Sequence, residues 1–162
     1  EEMKEAGVQP NVQTFNPLIS VLWQCSQRRT AIDMYLVASQ AGVYPLQAER
    51  TLSEINLHNT SAGAAQAATT LWLAEIAAAS LEQRALPATF TVVTGQGNHK
   101  AGESEVKDAM AAFLLEELNS PFKAPSDNPG RLQADRDAVC EWLGALGPIA
   151  QRVCVNDDGV GA

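Results

Sequence analysis

The chain has only three cysteines, Cys25, Cys140 and Cys154, an odd and small number for 162 residues. That excludes a disulfide framework, and without a CxxC pair it also excludes a zinc cluster; a reducing compartment is the natural setting. Histidine is scarcer still: His58 and His99 stand alone, with no third ligand to complete a metal site. No apolar run approaches the roughly 18 residues of a membrane span, so no membrane partner is expected. There is no GxxxxGKS/T loop, which argues against nucleotide hydrolysis and leaves no cofactor implied. No signal or transit segment is visible. The chain opens on Glu1 in mid-element, so an upstream continuation is expected and the missing leader carries no information about address.

Positive charge is also in deficit. Eleven Lys and Arg face nineteen Asp and Glu, a net charge of −8, of which only −1 falls before residue 51. An acidic body of this kind does not hold nucleic acid by a broad field, so any contact has to be local. Apolar residues are plentiful. At 46% hydrophobic and 19% charged, the chain is no low-complexity segment and can build one ordinary core with an appendage.

An internal repeat organises the first third. Glu5-Ala6-Gly7-Val8-Gln9-Pro10-Asn11 returns 35 residues later as Gln40-Ala41-Gly42-Val43-Tyr44-Pro45-Leu46, with Ala, Gly, Val and Pro in register. Between the copies, Phe15, Leu18, Ile19 and Leu22 fall at i, i+3, i+4, i+7, an apolar helical stripe. Ile32, Tyr35 and Leu36 form a second stripe after the polar turn at Ser26 to Arg29. Gly42 suits a helix C-terminus and Pro45 is expected to stop helical continuation. A hairpin of this length cannot bury its stripe alone, and its neighbours are expected on the N-terminal side.

From Leu52 the pattern becomes α/β. A short strand is predicted around Ile55 and Leu57, then an alanine-rich helix capped by Ser61, with Ala68, Leu71, Trp72, Ile76 and Ala79 on one face. Thr89 to Val93 reads as a strand, followed by the glycine loop Thr94-Gly95-Gln96-Gly97-Asn98-His99-Lys100. A helix near Ser104 to Leu118 carries Val106, Met110, Phe113, Leu114 and Leu118 on a stripe. Short strands are predicted around Phe122 and Leu132, a helix near Asp137 to Leu143, and a last strand at Arg152 to Val155. Strands alternating with helices imply a small layered sheet. Trp23, Trp72 and Trp142 sit on apolar stripes as core residues. Glu116-Glu117 and Asp157-Asp158 read as solvated surface.

Two family resemblances rest on these residues. The 35-residue period, with Thr14-Phe15-Asn16-Pro17-Leu18-Ile19 opening a unit and Glu1 to Pro10 closing the one before, resembles the pentatricopeptide repeat. The resemblance gives one complete unit at 12–46 within a repeat region 1–48, and implies RNA as partner, one base per unit. It carries Asn16 and Leu46 over as the reading positions, with Leu46 apolar where a polar residue is usual. The segment 49–156 resembles the small MutS-related (Smr) domain, and 157–162 is a tail. The landmarks are Ile55-Asn56-Leu57-His58, Val93 to His99, Glu103 to Lys107, Ser120-Pro121-Phe122, Asn128 to Arg131 and the helix bearing Trp142. Together the resemblances imply an organellar protein, chiefly of plastids, with the mitochondrion as alternative.

The chemistry centres on a pair. On a strand, Asn56 and His58 share a face, roughly 6–7 Å apart. The Smr resemblance implies Asp-x-His here, a carboxylate orienting a histidine that acts as general base or acid, with the RNA 2′-hydroxyl as nucleophile and no metal. Asn56 accepts a hydrogen bond but supplies no charge and takes no proton. Gln96 stands where several nuclease members have Arg. Losing both groups costs on the order of 2–4 kcal/mol of transition-state stabilisation each.

The glycine loop, with Gly95, Gln96, Gly97, His99 and Lys100, lies between a strand and a helix N-terminus, a setting that favours a phosphate; in itself Gly-x-Gly is a tight turn. Arg131 is a further phosphate contact and His99 a second catalytic candidate beside His58 and Asn56. The sequence is therefore read as an RNA-binding α/β protein. An active, metal-independent RNA endonuclease is one alternative, with DNA as a lesser substrate, and a docking module for a nucleoid or transcription complex is another.

Overall fold

The computed structural model describes residues 10–95 and 103–154. It is a mixed helical structure around a small three-stranded sheet. Helices α1 (Val12–Gln24) and α2 (Arg28–Gln40) form an antiparallel hairpin, followed by the short helix α3 (Pro45–Ala48). Strand β1 (Glu54–Asn56) leads into the long helix α4 (Ala62–Leu81) and strand β2 (Thr89–Val93), a βαβ unit. Helix α5 (Glu103–Ala111) runs on into a π-helical turn, Ala112–Glu117, before strand β3 (Arg131–Asp135) and helices α6 (Arg136–Leu146) and α7 (Ile149–Cys154). The sheet order is β1-β2-β3, parallel in the first pair and antiparallel in the second. No described helix is long and apolar enough to cross a membrane.

Alternation separates the two faces of the sheet. Ile55, Phe90, Val92, Leu132 and Ala134 are buried on one side, where Trp72 of α4 meets Phe90 edge-on at 6.1 Å. The other side carries Glu54, Asn56, Thr91, Arg131 and Gln133, with Gln133 donating to the Thr91 hydroxyl at 3.2 Å. Helix α4 is buried nearly all round, which explains its composition. Ala64, Ala65, Ala67 and Ala68 are all buried and small enough to let neighbouring elements approach closely, and Trp72, Leu73 and Ile76 are buried with them.

The hairpin has a neighbour C-terminal in sequence, because α1 and α2 both lie on α4. Gly63 makes this possible: a Cβ there would stand 2.6 Å from the Ser20 Cα, so the two backbones touch. The Ser20 hydroxyl accepts from the Gly63 N–H at 3.3 Å and donates to the Ser61 hydroxyl at 2.8 Å. Ser61 caps α4 through the Ala64 N–H and donates to the Asn16 carbonyl at 3.0 Å. At its other end the hairpin is tied by Arg28, which forms a two-pronged ion pair with Glu117, donates to the Val153 carbonyl at 3.1 Å and lies over the Trp23 ring. Glu117 is exposed, as expected, and is also an ion-pair partner.

Other corrections have local causes. Arg152 to Cys154 is helical in α7, not a strand; Ile149, Val153 and Cys154 fall at i, i+4, i+5 and are all buried. Val155 lies outside the described residues, as do 1–9 and the tail. Leu18 and Leu36 are 42% and 38% exposed, while Trp23, Ala31 and Ala38 take the buried places. Pro45 begins α3 at its first position, where a missing N–H costs nothing, instead of only ending a helix. Gly42 does close α2: at φ +76° it donates to the Ser39 carbonyl, and Val43 donates to that of Ala38.

Tyr35 and Tyr44 stack at 4.9 Å beneath the hairpin. Burial pushes Tyr35 up to about 12 and also raises Tyr44, with Tyr35 beside it adding to the shift. Two predictions follow from this packing. Gly63→Ala should lose about 1–3 kcal/mol in urea unfolding despite its better helix propensity, whereas Gly144→Ala, with nothing within 4 Å of its Cβ, should be neutral or gain up to about 1 kcal/mol. Unfolded tyrosine releases its proton first, near pH 10, so stability should be intact below that pH and fall as pH rises toward about 12. The unfolding midpoint at pH 9 and pH 11 checks this, and Tyr35→Phe should reduce the drop.

Candidate functional site

The site forms where β1 ends. Leu57 still donates to the Val93 carbonyl at 2.8 Å, but beyond it the chain turns away, helped by Asn59 at φ +63° and by Thr60, whose hydroxyl donates to the Leu57 carbonyl at 2.6 Å. The turn closes through Asn56. Its Oδ1 accepts from the His58 N–H at 3.0 Å and lies 2.6 Å from His58 Nδ1. The backbone N–H can only donate, so it identifies the Asn56 atom as oxygen, and that oxygen requires a proton on Nδ1. A neutral His58 therefore keeps its lone pair on Nε2. The turn brings the two side chains into direct contact, closer than strand spacing alone gives.

Nε2 faces glycine. A Cβ on Gly95 would stand 3.0 Å from it, so the backbone at the start of the glycine loop lies against the ring. Gly95 has φ +85°, a conformation costly for any other residue. Thr94, just before it, is held to the Gly130 carbonyl by its N–H at 2.9 Å and its hydroxyl at 3.2 Å. Gly130 in turn donates to Asn128 Oδ1 at 3.1 Å, so the Asn128 to Gly130 turn braces the loop's first residues.

The hairpin holds the other side of the turn. Asn16 donates its amide to the Asn59 carbonyl at 3.2 Å and accepts from the Tyr44 hydroxyl at 2.9 Å. Gln47, 2% exposed, donates to the carbonyls of Asn56 and His58. Beside this junction lies a groove of about 400 Å³, with Asn11, Gly42, Tyr44, Leu46, His58 and Asn59 in its walls. A separate apolar cavity of about 450 Å³, between α4 and α6–α7, contains none of the residues predicted from sequence.

Of those residues, Asn56, His58 and Gly95 come together, and Asn16 and Leu46 lie beside them. Arg131 shares a row with Val93 and Asn56, two strand spacings or about 10 Å across the sheet. Its guanidinium lies 3.6 Å from the Glu54 carboxylate, so a phosphate would have to share it. Gln96, Gly97, His99 and Lys100 lie outside the described residues. Sequence reading missed Gln47 and Tyr44, whose roles arise from contacts across the fold and leave no local pattern. Among the described residues no group of three His, Cys, Asp or Glu could hold a metal ion.

No protein-family model matches the chain. It is 28% identical over 130 residues, 79% of its length, to a chloroplastic pentatricopeptide repeat-containing protein of Arabidopsis thaliana. A second chloroplastic protein of that name from the same plant is 29% identical over 147 residues, and one from Oryza sativa subsp. japonica is 28% identical over 130. These homologues are pentatricopeptide repeat proteins. The matches cover 88% and 79% of this chain but only 18%, 10% and 19% of the three relatives in turn, so the chain spans less than a fifth of each.

Gly95→Ala should shift the His58 ring resonances and cost about 1–2 kcal/mol from strain at positive φ. Asn56→Ala should cost about 1–2 kcal/mol by leaving the His58 N–H without its acceptor. Urea unfolding and histidine-ring NMR read both effects.

Proposed function

We propose that this chain is an RNA-binding part of a plastid pentatricopeptide protein, in which a helical repeat is followed by a small MutS-related domain. What carries the reading is the Asn56–His58 pair, set against Gly95 and held from behind by Asn16 and Gln47 of the hairpin region. Among the described residues, the hairpin region and the sheet meet where the His58 imidazole, Gly95 and a groove come together. Similarity to chloroplastic pentatricopeptide repeat proteins supports RNA as the ligand and the chloroplast as the address. The net charge of −8 limits affinity to local contacts.

The orientation of His58 favours a second reading, a slow metal-independent RNA endonuclease. Neutral Nε2 would take the proton of a ribose 2′-hydroxyl, whose oxygen attacks the adjacent phosphorus. The leaving 5′-oxygen then takes a proton, and the products carry a 2′,3′-cyclic phosphate and a 5′-hydroxyl. Asn56 orients the ring but does not offset the charge of the imidazolium that forms, which makes the step slow. DNA lacks the hydroxyl and is no substrate for this route.

End-labelled RNA incubated with the chain in EDTA, then run on native and denaturing gels, tests both. Binding that weakens in His58→Ala is the expected result, with cleavage slow or undetected. Asn56→Asp should raise any cleavage on the order of 10–1000-fold. Absence of RNA binding at moderate salt would overturn the proposal, and rapid cleavage lost in His58→Ala would make the enzyme reading the main one.

A further inference from the structure

Gln47 is nearly fully buried, in the short helix that joins the hairpin to the sheet. Its amide nitrogen donates to two backbone carbonyls, of Asn56 and, at 3.2 Å, of His58. The parallel ladder explains why the first needs a partner. β1 meets β2 through the Ser53 carbonyl and the Leu57 N–H, each at 2.8 Å, so the odd-numbered residues face β2. The Asn56 carbonyl therefore points away from the sheet, on its free edge. A carbonyl covered there by another element costs free energy unless a donor meets it.

A carboxamide has two N–H donors, and here they reach the carbonyls of Asn56 and His58, on either side of the Leu57 carbonyl. Holding both carbonyls fixes the backbone torsions from Asn56 to His58. Those torsions decide whether Asn56 Oδ1 can meet the His58 N–H and the ring nitrogen together, as it does.

We propose that Gln47 is the positioning residue of the Asn56–His58 pair. By clamping the two carbonyls it holds the ring in the Nδ1–H tautomer and leaves Nε2 as the nitrogen offered to a ligand. The state of the histidine is thereby set by the hairpin region rather than by the sheet alone. RNA as the ligand rests on the function proposed above; the clamp itself does not.

The test uses the whole chain, labelled with ¹⁵N, and Gln47→Met, which keeps the volume and removes the donors. Long-range ¹H–¹⁵N spectra at a pH where the ring is neutral report its tautomer. The wild type should show one form, protonated on Nδ1, and Gln47→Met a mixture of two while remaining folded. Its RNA binding should weaken about as much as that of His58→Ala. An unchanged tautomer in folded Gln47→Met overturns the proposal, even if RNA binds both proteins. A tautomer change in a chain whose wild type binds no RNA sustains the clamp and overturns RNA as ligand. If Gln47→Met does not fold, the wild type decides: two separate, slowly exchanging Gln47 amide signals support the clamp, and rapid exchange overturns it.

Discussion

The contact on which the structure depends is the touch of two backbones at Gly63 and Ser20. A side chain at residue 63 would have to occupy space 2.6 Å from the Ser20 Cα. Without one, α1 settles onto the start of α4, and a short series of hydroxyl bonds through Ser20 and Ser61 registers one helix against the other. Asn16, one helical turn before Ser20, is thereby brought to the Asn59 carbonyl. Gln47, carried by the short helix that follows the hairpin, reaches the end of β1. The far end of the hairpin is fixed independently by Arg28, which joins Glu117 and the Val153 carbonyl. With two anchors at opposite ends, the hairpin sits on α4 in a defined orientation, and the turn bearing His58 lies half-buried between hairpin and sheet.

At that turn, an asparagine performs half of what a carboxylate would. Its oxygen selects the tautomer and aims the ring, because both hydrogen bonds it receives, from the His58 N–H and from Nδ1, are geometric constraints. It contributes no charge to offset a protonated imidazole. Binding through a neutral ring is within its reach, while repeated proton transfer is disfavoured. Gly95 completes the arrangement by leaving room for the ring against bare backbone, a tolerance that its positive φ makes specific to glycine.

Electrostatics points the same way. Near the site, Arg131 lies beside Glu54 and Arg50 pairs with Glu75, so these guanidinium groups are already matched within the fold. A polyanion meets no broad basic face in the described residues around His58. The groove of about 400 Å³ beside His58 has Asn11, Tyr44, Leu46 and Asn59 in its walls, so it offers hydrogen bonds and shape rather than charge.

Local periodicity determined much of the fold. The hairpin, the capped alanine-rich helix, the strand Thr89–Val93 and the buried stripe from Val106 to Leu118 all follow from spacings within a few residues of one another. The Asn56–His58 pair was legible from its spacing, but the strand that suggested it ends at Asn56, and the turn after it brings the two side chains together. The partners of these elements were not legible. An apolar stripe says that something must cover it, but not whether the cover lies before or after it in sequence, and only packing placed the hairpin on α4. Arg152 to Cys154 became a helix because burial of Ile149, Val153 and Cys154 on one side outweighed β-branched propensity. Gln47, Tyr44 and the Arg28–Glu117 pair act across 9 to 89 positions of chain, and no residue type signals such a contact in advance. The sequence by itself determined the elements and the pair of side chains that face one another. The tertiary structure decided which nitrogen of His58 is free and what holds it, because hydrogen-bond partners are chosen by position in space.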